Sequence, residues 1–427
     1  MLTRGKVLRA NSGFPIASAF NSANELPSFR KRYLTSQATA QQGPAQYTQA
    51  NDSAAQSAVL KNAQPMIQQV NLTSIPGNNT AQGQVLNIPL QNVGLNTKIT
   101  VEVSGTIAAA AAETLVKTAW SLSNFFSNIQ LTDLSNYQRI NTSGLHLFAL
   151  ACLKAKGVYG AAYMTDSPVG MGSNYRVNFS PSSVTGAVNF RIFFELPLAY
   201  HKWDLRGAIY AAVTSAQWRV QLTINPNLVM PSGTVDTLNG CFVSNSAAAG
   251  SQGTLSNVVI KIYQHYLDQL PRNQKTGAPI VPLISLAWDY LIQSTTVPNV
   301  AAGADFPVQY ANFRTFLSTI AILDNAGTFN AGSDLNYLGI QVANQVFLQQ
   351  LDPFMSTLQN RQNIGGDFPA GTYVFDHREK PIVTNQYGNT QFVANLSQAN
   401  AGASLVMMYE MLSLQSQAIN AGSLAAA

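Results

Sequence analysis

The segment 318-STIAILD-324 matches the earlier segment 127-SNIQLTD-133 in the position of its serine, first isoleucine and aspartate. In both segments the serine and the next two aliphatic residues recur with a period of two. This period places them on one face of a β-strand. The closing aspartate favours the turn that follows a strand. The two segments therefore predict one strand-and-turn unit that occurs twice in the chain.

Two further matches follow in the same order and indicate that a β-domain is duplicated in tandem. They are Glu195-Leu-Pro197 followed by Asp204 against Asp367-Phe-Pro369 followed by Asp376, and Ile260–Gln264 against Val406–Glu410. The proline of each acidic motif predicts a strand end, because proline cannot donate to a central ladder. Tyr263 and Tyr409 are expected to pack with the hydroxyl at the rim. We predict domains at 67–270 and 271–427, the second including the C-terminal tail.

Short apolar alternations separated by Asn, Gly, Ser and Pro predict an all-β protein built from sandwiches or barrels. They are Val85–Pro89, Lys98–Val103, Val188–Leu196, Trp218–Ile224, Val258–Tyr266, Ile320–Leu323, Thr372–Phe375 and Ser404–Met411. Two other stretches favour helix. One is part of Ala108–Phe126, and the other is Asn344–Leu358, in which Pro353 is expected to interrupt the helix.

The N-terminal region differs from the rest in its charge. The chain carries a net charge of +5, and residues 1–34 hold all of this excess against a single acid, Glu25. The basic residues are Arg4, Lys6, Arg9, Arg30, Lys31 and Arg32. We predict an extended basic arm over 1–47 that faces an anionic surface, either lipid headgroups or nucleic acid; a solvated tail that binds nothing is the alternative. The Ala- and Gln-rich stretch 48–66 predicts a short helix that links the arm to the body.

Charged residues make up only 10% of the chain, against about 25% in a typical soluble domain. A polar surface with few charges suits large protein–protein contacts, although a secreted β-protein shares this composition. Cys152 and Cys241 are too few for a disulfide framework and are expected to be buried free thiols. The sequence contains no 18-residue apolar run and no apolar stretch typical of a secretory signal. These features fit a protein made in a reducing cytoplasm.

The sequence offers no arrangement of residues typical of an enzyme or a metal site. No P-loop, G-x-G-x-x-G, G-x-S-x-G or H-E-x-x-H motif is present. The four histidines are His146, His201, His265 and His377, and none has a His or Cys partner at metal-ligand spacing. His201 with Asp204, and Asp376 with His377, are interpreted as loop residues. We predict no catalytic, cofactor-binding or metal-binding residues.

Several stretches resemble the major capsid proteins of tectiviruses. The block Val308–Leu338 (VQYANFRTFLSTIAILDNAGTFNAGSDLNYL) is similar to the core of the second domain in that family. Shorter similarities are Tyr266–Pro271, Pro197–Tyr200 with Asp204–Gly207, Thr165–Pro168, Ser143-Gly144 with His146, and Ile67–Val70. The resemblance runs from about Ala55 to Gly422, and residues 1–45 are longer and more basic than the family pattern.

The resemblance implies two tandem eight-stranded jelly rolls, a double jelly roll, in each chain. It further implies a homotrimer with a pseudo-hexagonal outline that tiles an icosahedral shell over an internal lipid membrane enclosing double-stranded DNA. The expected partners are other copies of the chain, penton and minor capsid proteins and inner-membrane lipids, with no sequence-specific binding of nucleic acid. The expected location is the virion, after synthesis in the host bacterial cytoplasm.

Two other classes of protein remain as alternatives on the residues alone. A secreted adhesin or carbohydrate-binding β-sandwich would need an export signal and an aromatic-lined groove. A hydrolase on a β-scaffold would need a set of catalytic residues that the sequence lacks.

Overall fold

Two eight-stranded halves follow one another in this computed structural model. The residues that the structure describes are 49–110, 113–155, 177–178, 183–212, 217–234, 239–245, 252–282, 285, 287–298, 300–303, 305–312, 314–324, 334–342, 346–364, 368, 371–384, 389–397 and 403–414. We number the sixteen principal strands so that strand n of the first half corresponds to strand n + 8 of the second.

The strands of the first half are β1 Gln64–Ile75, β2 Val85–Pro89, β3 Leu95–Ala108, β4 Phe126–Thr132, β5 Gln138–Thr142, β6 Ala187–Pro197, β7 Arg219–Ile224 and β8 Thr254–Asp268. Those of the second half are β9 Trp288–Pro298, β10 Asp305–Gln309, β11 Thr315–Asp324, β12 Leu335–Val342, β13 Val346–Leu351, β14 Thr372–Asp376, β15 Thr390–Leu396 and β16 Ser404–Leu414. Every alternation listed from the sequence lies in one of these strands, apart from Trp218, which precedes β7.

Helices and minor strands complete the described chain. The helices are α1 Gln49–Asn62, α2 Gly144–Ala155, α3 Pro353–Ile364 and the 3₁₀ helix Ser121–Phe125. Shorter strands, which we leave unnumbered, are Leu115–Lys117, Val177–Asn178, Ser183–Val184, Ile209–Tyr210, Val229–Met230, Phe242–Ser244 and Ile382–Val383.

Both halves have the same strand order. In the first half one sheet runs β1-β8-β3-β6 and the other β2-β7-β4-β5; in the second half the orders are β9-β16-β11-β14 and β10-β15-β12-β13. Two facing sheets in the orders 1-8-3-6 and 2-7-4-5 form a jelly roll. The expected double jelly roll is therefore confirmed.

The two halves share one continuous sheet. Strand β5 of the first half pairs with β9 of the second in parallel, with Ile140 opposite Ile292 and Asn141 opposite Gln293. The order β2-β7-β4-β5-β9-β16-β11-β14 thus crosses from one jelly roll into the other. We call this crossing, with helix α2 beside it, the joint.

Strand β11 is buried on both faces because it lies between two cores. Phe316, Ala321 and Leu323 belong to the interior of the second jelly roll. Ile320 and Ile322, on the opposite face, belong to the cluster that fills the first jelly roll and the joint. This double burial explains why apolar side chains occur on both faces of 315-TFLSTIAIL-323 instead of alternating strictly with polar ones.

The topology corrects the sequence matches that suggested a duplication. Residues 127–132 of the first segment lie in β4, whereas 318–324 lies in β11, which corresponds to β3. In the third match, Tyr263 points away from the first jelly roll and donates to Glu102, while Tyr409 lies inside the second. The duplication is correct, but these matches join strands or faces that are not equivalent. Since all strands share a period of two, short matches of this kind arise between any of them.

The helices differ most from the sequence-based expectation. Among the described residues of Ala108–Phe126, only Ser121–Phe125 is helical, as a 3₁₀ helix. Within Asn344–Leu358, residues 346–351 form β13, and Pro353 begins α3 instead of interrupting a helix. Proline suits a first helical turn, and the Asp352 carboxylate caps α3 by accepting from the Met355 N–H at 2.7 Å.

Helix α2, 144-GLHLFALACLKA-155, was not predicted. It is apolar on all sides because it is buried on all sides up to Leu153, so it lacks the amphipathic pattern of a surface helix. Helix α1, expected over 48–66, spans Gln49–Asn62, and residues 64–66 of the expected helix already belong to β1. The proposed division between residues 270 and 271 falls in the connection from β8 to β9 and stays a prediction.

Gly207 provides a test of the close contact between the halves. Its φ is +85°, and a Cβ there would lie 2.4 Å from Tyr290 Cβ and 2.7 Å from Leu198 O. Gly233 has a similar φ of +78° but nothing within 4 Å. We expect Gly233→Ala to cost about 1 kcal/mol from backbone strain. Gly207→Ala should cost at least about 2 kcal/mol more, because the neighbouring half must move.

Denaturant unfolding of both variants measures this difference in the free energy of unfolding. Equal losses for the two variants would show that the halves do not pack closely at Gly207.

Candidate functional site at the joint

Glu410 is the most deeply enclosed acid of the joint. Its side chain has no exposed surface, and its carboxylate accepts hydrogen bonds from Tyr290 OH and from Ser318 Oγ at 2.7 Å. Lys154 Nζ lies 3.0 Å from one oxygen and Arg378 Nε lies 4.0 Å from the other. Burial alone would raise the pKa of Glu410, but these charges and hydrogen bonds lower it to about 2. The carboxylate is therefore ionised.

The groups around Glu410 come from both halves. Lys154 is in α2 of the first half and also donates to Tyr290 OH at 2.6 Å. Arg378 follows β14 of the second half, where the Asp376 carboxylate accepts from its Nε at 2.9 Å. One buried carboxylate thus joins a helix of the first jelly roll to two elements of the second.

A similar acid–arginine pair lies on the first-half side of the joint. The Asp204 carboxylate accepts from the backbone N–H and the Nε of Arg206, at 3.1 and 3.0 Å, much as the Asp376 carboxylate binds Arg378. The Arg206 guanidinium lies 4.9 Å from the centre of the Tyr200 ring, which packs edge-on against Tyr290. Extending the second sequence match by two residues, from Asp204 and Asp376 to the arginines, would have revealed this shared pair.

A second ion cluster crosses the joint beside the β5–β9 pairing. Arg139 in β5 binds Asp133 at 2.6 Å and Asp289 of β9 at 2.7 Å, and all three side chains are buried. The other Asp133 oxygen accepts from the N–H groups of Ser135 and Tyr137, which closes the turn after β4 as the sequence predicted. If the two halves moved apart here, a buried charge would lose its partner, which is energetically costly. The cluster therefore favours this arrangement of β5 and β9.

The histidines whose surroundings are described below lie at buried or hydrogen-bonded positions of the fold. Burial lowers the pKa of His146 and of His377 to about 4, so both are neutral near pH 7. His265 lies 2.9 Å from Thr100 Oγ on the outer face of the first jelly roll. Within the part of the chain that the structure describes, no three His, Cys, Asp or Glu side chains come together to hold a metal ion.

Cys152 and Cys241 are both buried free thiols, as expected. No helix among the described residues is long and apolar enough to span a membrane. The six basic residues of the arm, Arg4, Lys6, Arg9, Arg30, Lys31 and Arg32, lie outside the described residues.

Several large apolar side chains are exposed among the described residues, and three groups of them include a side chain that is more than 60% exposed. Phe354, Met355 and Leu358 form the α3 patch, in which Phe354 is 75% exposed. Ile67 and Leu72 on β1 form the β1 patch, 67% and 57% exposed.

Trp203 is the third group and is 63% exposed. Lys202 Nζ lies 5.1 Å from the centre of its ring. Exposed apolar patches of this kind mark interaction sites. The sequence analysis did not predict that any of these three groups is exposed.

Glu410→Gln tests the buried cluster, with Glu102→Gln as the matched control. Glu102 is also enclosed and binds Arg191 at 2.9 Å, but Arg191 is half exposed and can turn to solvent. We expect Glu410→Gln to lower the free energy of unfolding by about 3–5 kcal/mol, because Lys154 and Arg378 lose their anion. Glu102→Gln should cost about 1 kcal/mol or less. Denaturant unfolding at one protein concentration compares them, and equal costs would contradict the assigned role of Glu410.

Comparison with known proteins agrees with the fold. The family model described as P3 major capsid protein N-terminal matches residues 32–270, and the one described as P3 major capsid protein C-terminal matches residues 288–426. Major capsid protein P3 of Enterobacteria phage PRD1 is 33% identical over 370 residues, which cover 86% of this chain and 92% of that protein.

Solved structures of low sequence identity share the fold. A chain from the atomic structure of Sulfolobus Turreted Icosahedral Virus has a TM-score of 0.58 at 13% identity, covering 85% of this chain and 95% of that chain. PBCV-1 VP54 has a TM-score of 0.53 at 12% identity, covering 82% and 94%. Together with the family models and the relative in phage PRD1, the double jelly roll identifies the chain as a member of the P3 major capsid protein family of tectiviruses, which are structural capsid proteins.

Proposed function

We propose that this chain forms homotrimers of six jelly rolls that tile an icosahedral shell, and that the shell encloses a lipid membrane around double-stranded DNA. The observation that carries the proposal is the double jelly roll with its shared sheet. Within the described residues, strand β1 at one end and strand β13 at the other are each paired on one side only. A chain that already joins two jelly rolls side by side, with a free edge at either end, is suited to joining further copies.

The low charge of the chain supports a role in assembly and not in catalysis. Uncharged polar side chains cost less to desolvate than charged ones when broad surfaces meet. The charged groups of the joint form ion pairs with one another. We therefore assign them no role in binding a substrate. We propose no enzymatic activity, and we propose the virion as the location after synthesis in the host bacterial cytoplasm.

Native mass tests the trimer directly. We expect a species of three times the 45.9 kDa chain mass in sedimentation or native mass spectrometry, and it should persist on dilution because broad interfaces dissociate slowly. A monomer at micromolar concentration, particularly one that bound glycans, would favour the alternative of a carbohydrate-binding β-sandwich.

We also propose that the basic arm, residues 1–47, contacts the anionic headgroups of the inner membrane. The arm leads into α1, and Gln56 of α1 binds the loop that carries Lys202 and Trp203, donating to Trp203 O at 3.3 Å. A tryptophan beside a lysine suits the interface between water and lipid. Each basic residue near an anionic bilayer contributes about 1 kcal/mol, and many copies in one shell act together.

Neutralising the arm tests this contact. Replacing Arg4, Lys6, Arg9, Arg30, Lys31 and Arg32 by Gln should weaken binding to vesicles of phosphatidylcholine with phosphatidylglycerol at least about 100-fold at low salt. Vesicles of phosphatidylcholine alone are the control and should bind both proteins weakly. Equal binding of the two proteins to anionic vesicles would exclude the arm as the contact. Preferential binding to DNA instead would favour nucleic acid as its partner.

The remaining expected partners are penton and minor capsid proteins of the same virus. We propose that they meet the outer edges of the assembled trimers, without sequence-specific binding of nucleic acid by this chain.

A further inference from the structure

Two histidines accompany the two cations that hold Glu410 at the joint. Lys154 lies on α2, and His146 lies in the first turn of the same helix. Arg378 directly follows His377 in the loop after β14. The Nε2 atoms of both histidines are enclosed and have no hydrogen-bond partner among the described residues. Each element that supplies a cation to the joint is therefore packed through a histidine ring.

The surroundings of His146 favour a neutral ring. Its side chain is buried, its Nδ1 lies 2.9 Å from Ser143 Oγ, and the same oxygen accepts from the His146 N–H at 3.4 Å. The partial positive charge at the N-terminus of α2 opposes a positive charge on this ring. A proton added to the ring would place a second N–H in the apolar core, where the described residues offer no acceptor.

The strands that pack on α2 bring no described acid to His146. Strand β4 and the 3₁₀ helix contain no charged residue. In β6, Arg191 and Glu195 point to the outer face and form salt bridges there. Asp324 is the last residue of β11, and Lys154, at the far end of α2, is itself a cation. Burial is accordingly the cause that lowers the pKa of His146.

His377 is enclosed beside the loop that holds Arg378. Its ring centre lies 6.4 Å from that of Phe375, and its N–H donates to Leu317 O of β11 at 2.7 Å. The adjacent Asp376 would favour a positive ring, but its carboxylate is bound by Arg378 Nε at 2.9 Å and Nη2 at 3.3 Å. Burial outweighs this acid and lowers the pKa of His377 to about 4.

The other charges near this loop do not offer His377 a partner. Glu379 and Lys380, which follow Arg378, are exposed. Glu410, which reaches the loop from β16, is held by its own cations and hydrogen-bond donors.

Acid therefore reaches the histidines well before it reaches the carboxylate. The pKa of Glu410 is about 2, so this group keeps its charge in mild acid. A histidine whose pKa is lowered from 6.5 to about 4 stabilises the folded arrangement fully above pH 6.5. That stabilisation is lost progressively as the pH falls from 6.5 towards 4, by up to about tenfold per pH unit for each histidine.

We propose that mild acid releases the joint: when His146 and His377 take up protons, α2 and the loop after β14 leave their places and draw Lys154 and Arg378 away from Glu410. The strands of both jelly rolls stay paired, but the halves are no longer held in one orientation. This inference concerns the joint within one chain and does not depend on the proposed trimer. In a capsid, such a release would loosen the shell from within each subunit.

The two buried cysteines report on this release. Cys152 lies on α2, whereas Cys241 is held by backbone hydrogen bonds to Thr118 and Leu228. Dithiodipyridine labels thiols in acid, and mass spectrometry locates the label. We expect the labelling rate of Cys152 in the full chain, relative to the unfolded chain at the same pH, to rise at least about 100-fold between pH about 7 and pH about 5. The relative rate of Cys241 should change less than about tenfold.

Neutral replacements test the part that the histidines play. His146→Asn keeps an amide in place of Nδ1 beside Ser143, and His377→Gln keeps a neutral polar side chain. The variant with both changes should lose most of the acid response, so that Cys152 labelling changes less than about tenfold. The matched control is His265→Gln, which removes a histidine of similarly lowered pKa on the outer face of the first half and should leave the response intact.

Each remaining outcome would overturn the proposal. Equal rises at both cysteines would indicate general unfolding, and no rise at Cys152 would show that α2 stays in place. A rise that persists in the folded double variant would assign the response to another group. If the double variant does not fold, the onset in the unchanged chain decides. An onset just below pH 6.5 supports the histidines, whereas an onset only below about pH 3 would point to protonation of Glu410.

Native mass at the same pH values separates the release from the proposed function. A chain that is a monomer at neutral pH contradicts the trimer and leaves the labelling test unchanged. A trimer that dissociates in mild acid while Cys152 stays protected would contradict the release, because acid would then act between chains and not at the joint.

Discussion

The enclosed carboxylate of Glu410 is the interaction on which the arrangement of the two halves depends. A buried negative charge is stable only while its cations and hydrogen-bond donors stay in place. Those groups come from α2 of the first jelly roll and from β9, β11 and the loop after β14 of the second. Any rotation of one half against the other would separate the charges, so the cluster selects one relative orientation.

The continuous sheet adds a second constraint in the same place. The parallel pairing of β5 with β9 is short, and the Arg139 cluster with Asp133 and Asp289 lies beside it. The register of the β5–β9 pairing sets how the two halves align along the strand direction. The ion clusters and the close contact at Gly207 set how near the two halves lie to each other. A capsid protein benefits from a fixed interior, because its outer surfaces can match their partners only if the subunit keeps its shape.

The same geometry explains where the apolar surface of the chain is and is not covered. Strand β11, which belongs to the second jelly roll, is buried on both faces because the first jelly roll and the joint cover the outer face of its sheet. Among the described residues, the corresponding outer face of the first half has no such cover and carries exposed Ile67 and Leu72. In a chain with two jelly rolls, the joint therefore covers the outer face of the second half, while the equivalent face of the first half stays exposed among the described residues.

The sequence by itself determined the class of the fold, the strands and the family resemblance. Period-two alternation depends only on neighbouring residues along a strand, so Val188–Leu196 and Ser404–Met411 were recognisable without knowledge of their partners. The excess of charge on residues 1–34 is likewise a property of sequence alone.

The tertiary structure decided which strands are equivalent, where the helices lie and which charges meet. Helix α2 has no amphipathic pattern because both halves bury it, and Lys154, Arg378 and Glu410 are far apart in the chain. Their pairing depends on how two jelly rolls pack, and the physical reason is that a buried charge is stabilised by whatever lies beside it in space, which no local pattern of residues records.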